Sequence, residues 1–335
     1  MTAFAGDREE RLDQLLDAEL SFDATTDTGT SSHLSMALVA AQNLGASAEG
    51  LAAFFHRYSR RLRPRPGSAG GVSASSFSTT LGRPGAYGAF VDYFRREIDD
   101  RGTDEVVSQT VTRLRPGIHG AAYHGVLRLA YALERPTPAR VASGLAYLAE
   151  VHRPLGDEQT HEGTLDPEEA FVLLHHRRGE LAVEGATGLI ADRMAEAASA
   201  PAFIEVVDSV VVDDGTFGRL QAIAAAIFAE SLDFVALHGV TGLEAMRRVR
   251  HVVDDPRLID REALRSLCAA YVVCGCPAIP ETSGEAIAPS LDGLARAALA
   301  SGDEHDLKIV DTAVKVAELP SGATVLDAAR RYLDR

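Results

Sequence analysis

Eleven histidines are spread over the 335 residues, and three of them stand inside apolar, helix-patterned stretches. His33 opens Ser-Ser-His-Leu-Ser-Met-Ala-Leu-Val-Ala-Ala, with Met36, Ala37 and Ala40 on its own side. His124 follows Ala-Ala-Tyr, and Leu127 and Tyr131 recur after it at helical spacing. His238 lies in Phe-Val-Ala-Leu-His-Gly-Val-Thr-Gly-Leu, with Thr241 on its face one turn on. A polar ring buried without a partner costs about 1–3 kcal/mol, so several such rings invite a shared explanation. Metal ligation is one; histidines hydrogen-bonded within a core satisfy the same requirement. A fourth, His305, lies in Ser-Gly-Asp-Glu-His-Asp-Leu-Lys-Ile-Val, where the three-residue spacing puts Lys308 on its face. The alternative there is a solvated helix start, with Asp303 and Glu304 near the positive end of the helix.

The remaining histidines have other contexts. His175 and His176 adjoin Arg177 and Arg178 in a wet basic patch, and His161 sits in an acidic loop. His56, His152 and His251 neighbour arginines and read as surface residues. His119, five residues before His124, is a substitute ligand or a substrate-contacting residue. The chain lacks an HExxH helix, a paired CxxC, a Walker loop and a dinucleotide glycine fingerprint between strand and helix.

Helices must position these groups. Apolar residues recur three and four apart in Arg11–Leu20, Ser31–Leu44, Ala122–Leu133, Ala139–Ala149, Leu220–Phe228, Leu232–Val249 and Ala263–Val273. Asp166-Pro167 followed by Glu168 and Glu169 marks a helix start, and Pro116-Gly117, Pro136 and Pro138 bracket the His124 helix. Phe203–Val212 fits a short strand or a buried helix equally. Arg61–Pro84, rich in Gly, Ser, Arg and Pro, reads as a long loop, either mobile or a lid over a site. Pro154–Asp166 reads as a second, exposed loop. The expected fold is all-α: a single compact multi-helix bundle over residues 1–335, without internal repeats.

Composition agrees with a globular chain, 46% hydrophobic and 24% charged. Forty-eight acidic residues against 33 basic ones give a formal charge of -15, which repels a phosphate backbone and an anionic membrane surface. Neither nucleic acid nor membrane is an expected partner. Three cysteines, two in Cys274-Gly275-Cys276, suit a reducing compartment, and Met1–Leu20 carries no leader pattern. The expected location is the cytoplasm.

Taken together, His33 with Met36-Ala37-Leu38 and Leu44-Gly45-Ala46, Tyr123-His124 with Arg128-Leu129-Ala130-Tyr131-Ala132-Leu133-Glu134, Leu237-His238-Gly239-Val240-Thr241, and His305-Asp306-Leu307-Lys308 resemble the questin oxidase-like family. That family includes fungal enzymes that open the central ring of anthraquinones, and relatives in other aromatic polyketide pathways once described as Baeyer–Villiger oxidases. The resemblance implies a non-heme Fe(II) centre whose ligands are His33, His124, His238 and His305, with Lys308 as a carboxylated fifth ligand. It implies an aromatic small-molecule substrate and O2, with NADPH as a possible external reductant. Within such a site Tyr131 is placed to hydrogen-bond a substrate oxygen or to pack as a core tyrosine, while Thr241 and Asp311 are placed to orient His238 and Lys308.

The chemistry is self-consistent. Four neutral imidazoles leave a dication uncompensated, and imidazole suits iron. Burial frees a lysine's neutral amine to capture CO2 as an anionic carbamate. Two other functions fit the same residues: a metal-free, NADPH-assisted monooxygenase using the histidines as acids and bases, and a non-catalytic helical binding protein.

Overall fold

Alanine and leucine at helical spacing give helix after helix, and side-chain caps mark where several of them begin. The computed structural model describes residues 2–67, 71–156, 163–181, 188–279 and 290–335, with side chains from residue 7 onward. Among these the chain forms seventeen α-helices and one two-stranded antiparallel sheet. Helix α1 (Thr2–Glu19) leads into strand β1 (Phe22–Thr26), α2 (Leu34–Asn43), α3 (Ala48–Tyr58), strand β2 (Leu62–Pro64) and a short α4 (Phe77–Thr80). Helices α5 (Tyr87–Arg101), α6 (Thr103–Leu114), α7 (His124–Glu134), α8 (Pro138–Glu150), α9 (Pro167–His176), α10 (Ile190–Ala198) and α11 (Pro201–Val207) follow. The chain continues through α12 (Thr216–Ser231), α13 (Phe234–Val249), α14 (Arg257–Val273), α15 (Leu291–Ser301), α16 (Glu304–Lys315) and α17 (Gly322–Leu333).

The expected helix start at Asp166 is a full capping box, with Asp166 accepting from the Glu169 backbone, Glu169 accepting in return, and Pro167 at the first helical position. Thr137, Asp233 and Asp303 cap α8, α13 and α16, each side-chain oxygen accepting from a backbone N–H of the first turn. Phe203–Val212 resolves as helix for its first half, α11, after which Val210 makes an isolated bridge to Leu165.

Four helices form the frame of the molecule. α2 packs on α7, α7 on α13, α13 on α16, and α16 back on α2. All four run the same way. Their C-terminal halves are tied by one polar network: Asn43 of α2 donates to Asp311 at 3.0 Å and to Glu134 at 3.1 Å, and Tyr131 donates to Asp311 at 2.7 Å. Lys315 donates to Glu134 at 2.8 Å and also pairs with Asp311, and Arg248 pairs with Glu134 and Glu244. Cations at this end suit the negative pole of each helix.

Around this frame, α5, α8 and α1 enclose a buried ion pair, Arg128 to Glu19 at 2.6 Å, each side chain 2% exposed. Arg128 Nε also donates to Ser143 Oγ at 3.2 Å, and Nη2 donates to the Tyr87 hydroxyl at 3.3 Å.

Arg61–Pro84 is more ordered than a long loop. Leu62–Pro64 pair with Phe22–Thr26, and Phe77 is buried against Phe90, Phe94 and Tyr93, with the Arg113 guanidinium 4.1 Å from its ring. The strand was hidden because its partner lies some forty residues earlier, beyond the reach of local pattern. In Pro154–Asp166, Leu155 is buried, and residues 157–162, including His161, lie outside the described residues. No described helix is long and apolar enough to cross a membrane.

Removing one partner of a buried pair strands the other, so Glu19→Ala is expected to cost about 3–5 kcal/mol in urea denaturation. Asp334→Ala, which opens the exposed Arg330–Asp334 pair, is expected to cost under about 1 kcal/mol in the same assay.

Candidate metal centre

Because the four frame helices run alike, their N-terminal ends meet at the other end of the bundle, and each brings a histidine there. His33 is the N-cap of α2, His124 the first residue of α7, His305 the second residue of α16, and His238 lies one turn into α13. The imidazoles form a closed cycle. Ring centroids lie 4.5 Å apart for His33–His124, 5.1 Å for His124–His238, 5.6 Å for His238–His305 and 4.7 Å for His305–His33. The assembly of all four sequence-predicted histidines at one point includes the C-terminal His305, whose helix folds back beside α2.

Three of the rings are aimed by oxygens of their own local stretch of chain. His238 Nδ1 lies 2.7 Å from the carbonyl of Phe234, one turn earlier, and His124 Nδ1 lies 2.6 Å from the carbonyl of Ala121. His305 Nδ1 sits 3.3 Å from the Asp303 carboxylate, which also caps the helix and whose own pKa is held down at about 2 by that hydrogen bond. A proton on Nδ1, donated to an oxygen, leaves Nε2 as the donor atom of all three rings. The backbone N–H of His33 donates to the Tyr58 hydroxyl at 2.9 Å.

The turn before His124 carries strain. Ala121, Ala122 and Tyr123 have φ of 51°, 54° and 69°, three consecutive non-glycine residues in left-handed conformation. Each costs roughly 1–2 kcal/mol. This turn delivers the Ala121 carbonyl to His124, and the Tyr123 ring that follows is seated on Gly242 of α13, where a Cβ would lie 2.3 Å from the ring.

Burial, reinforced by the neighbouring Lys308, holds His33 and His124 well below the ordinary histidine pKa and brings His238 down to about 3. They are therefore neutral at physiological pH, as ligands must be. Lys308 is 0% exposed, and burial pushes its pKa down to about 7 against the opposing charges of Glu304 and Asp303. His33 Nδ1, His124 Nε2 and Lys308 Nζ are all buried without a hydrogen-bond partner among the described residues. Three orphaned nitrogens beside one cycle of imidazoles are the arrangement a bound cation would satisfy, and the donor set suits a borderline transition metal.

Two residues join the site that helical periodicity does not mark. Glu304 places a carboxylate oxygen where it, one nitrogen of His33 and one of His305 all lie within 4.8 Å of one another. Its position beside His305 was the available signal, masked by its ordinary place in the acidic first turn of a helix. Phe234, 42% exposed, lies edge-on to His238 at 4.6 Å and to His305 at 4.7 Å, giving the cluster an aromatic flank open to solvent.

Other sequence-predicted residues lie elsewhere. Tyr131 is seven residues beyond His124, about 10 Å along the axis at about 1.5 Å per residue, and its hydroxyl is engaged by Asp311 in the C-terminal network. Asp311 is taken by Tyr131, Asn43 and Lys315, so it does not orient Lys308. Thr241 bonds back to the Leu237 carbonyl rather than to the ring of His238. His119 is fully buried, with its pKa lowered to about 3 by burial, but its titratable neighbours are His152, Arg153 and Arg265 rather than the cluster. His152 is half-buried rather than a surface residue, and His175 leaves its basic patch to bond the Cys276 carbonyl at 2.8 Å.

Lys308→Met replaces an unsatisfied buried amine with an apolar chain of similar length. The metal-free variant is expected to gain about 1–3 kcal/mol in urea denaturation while binding added metal more weakly in a titration. Gly242→Ala drives a methyl into the Tyr123 ring and is expected to lose about 1–3 kcal/mol in the same denaturation assay.

No curated protein matches the chain. The sequence model of the family described as Questin oxidase-like matches residues 30–313, a span that contains all four histidines and Lys308. By that match over most of its length, the chain belongs to the Questin oxidase-like family.

Proposed function

We propose that this protein is a non-heme iron(II)-dependent oxygenase that opens a ring of a polycyclic aromatic polyketide, of the anthraquinone or hydroquinone kind. The reaction is oxidative C–C cleavage or a Baeyer–Villiger-type insertion. The observation that carries the proposal is the closed cycle of four imidazoles beside the unpartnered amine of Lys308. Membership of a family named for an oxidase supports the reaction class.

His33, His124, His238 and His305 would hold the ion, and Lys308 would supply an anionic donor as its carbamate. In that step the neutral amine attacks CO2, a C–N bond forms as one C=O bond opens onto oxygen, and the nitrogen gives up a proton to solvent. Bound iron(II) supplies the one-electron chemistry through which O2 reacts with an electron-rich aromatic. The protein's own residues do the rest. The carbonyls of Ala121 and Phe234 and the carboxylate of Asp303 hold three rings in one tautomer. Burial keeps His33, His124 and His238 unprotonated, and Phe234 offers an exposed aromatic edge against which a flat substrate can pack.

Protein purified without an affinity tag is expected to carry stoichiometric iron and to consume O2 with an anthrahydroquinone, and His238→Ala is expected to lose both. A ¹³C carbamate resonance after labelling with bicarbonate, absent in Lys308→Met, is expected in parallel. Metal-free wild type that consumes O2 with NADPH would replace this proposal with a metal-free monooxygenase, and metal-free, inert protein with a binding function.

A further inference from the structure

Helix α16 brings a carboxylate to the cluster as well as a histidine and a lysine. Glu304, its first residue, is 14% exposed at the side chain and shares the 4.8 Å donor group with His33 and His305. Its Oε1 lies 3.1 Å from Arg61 Nη1. A carboxylate offers about four lone-pair sites, so this contact leaves acceptor capacity towards the imidazoles. Arg61 is itself stationed: its guanidinium lies 4.8 Å over the Tyr58 ring, and its carbonyl accepts from the backbone N–H of Asp27. The Tyr58 hydroxyl in turn accepts from the backbone of His33. One side of the carboxylate thus meets a fixed cation and the other meets two candidate ligands.

Resting on the metal-centre reading above, we propose that Glu304 is a further carboxylate donor of the same centre, positioned by Arg61, and that it retains an ion when Lys308 carries no carboxyl group. Charge supports a second anion. A divalent ion at this point meets the N-terminal poles of four helices, each equivalent to roughly half a positive charge, and imidazole ligands bring no negative charge to offset them. A carbamate on Lys308 removes only one unit. Chemistry supports the retention, because a carboxylate beside imidazoles is a donor combination that holds non-heme iron(II) without a carbamate. Metal binding therefore has a part that depends on CO2, through Lys308, and a part that does not, through Glu304.

The test is a titration of the metal-free, full-length protein with Co(II), followed by its visible absorption and calibrated against a competing chelator, with and without added bicarbonate. Lys308→Met is expected to bind Co(II) and to show no response to bicarbonate. Glu304→Gln is expected to bind about ten- to a hundredfold more weakly without bicarbonate and to recover part of that loss when bicarbonate is added. The double variant is expected to fall at least about tenfold below Lys308→Met. Glu304→Asp, which keeps the charge and the helix start but shortens the reach, is expected to lie between wild type and Glu304→Gln, and circular dichroism checks that each variant is folded. Equal affinities for Glu304→Gln and its parent in both backgrounds would overturn the role of Glu304 and leave the histidine centre standing. Wild type that binds no Co(II) would instead overturn the metal centre itself.

Discussion

Four helices that point their positive ends at one spot repel one another and any cation placed between them, and the architecture is organised around that conflict. In an antiparallel bundle the poles alternate and cancel. Here α2, α7, α13 and α16 run in one direction, so the cost is concentrated at the histidine end and mirrored at the other. At the far end Lys315 and Arg248 sit near the C-terminal poles, balanced by Asp311, Glu134 and Glu244. At the near end the caps Asp233 and Asp303 supply negative charge, and neutral rather than charged imidazoles fill the centre.

A parallel frame also demands long connections, and these account for much of the remaining chain. Between α2 and α7 lie four helices and a strand; between α7 and α13 lie five helices. The surrounding helices therefore do more than thicken the core. α8 covers the outer face of α7, α5 packs on α8, and with α1 they shield the Arg128–Glu19 pair. Breaking that shield would act on the same helix that carries His124.

The helices and five of the site residues are legible because both are local properties. His33, His124 and His238 each sit on an apolar face that three- and four-residue spacing reveals, and Lys308 follows His305 at the same spacing. What the sequence did not disclose is direction and depth. Tyr131 shares a face with His124, yet helical rise carries it to the opposite pole, where Asp311 and Lys315 meet it. Glu304 is by sequence an acid suited to a helix start; only the return of α16 onto α2 brings it beside His33. The short strand in Arg61–Pro84 depends on pairing with residues on the far side of two helices, which no local pattern encodes.

The left-handed turn at Ala121, Ala122 and Tyr123 sets stability and rigidity against each other. Glycine at 121 or 122 would adopt the same backbone without steric cost, and such a chain would sit more easily in this fold. It would also let the turn wander, and with it the carbonyl that fixes the ring of His124. A search for hardier variants would therefore drift towards glycine here, whereas a search for a sharply ordered centre would keep side chains that the backbone resents. The alanines and tyrosine at this turn place the natural sequence on the second course.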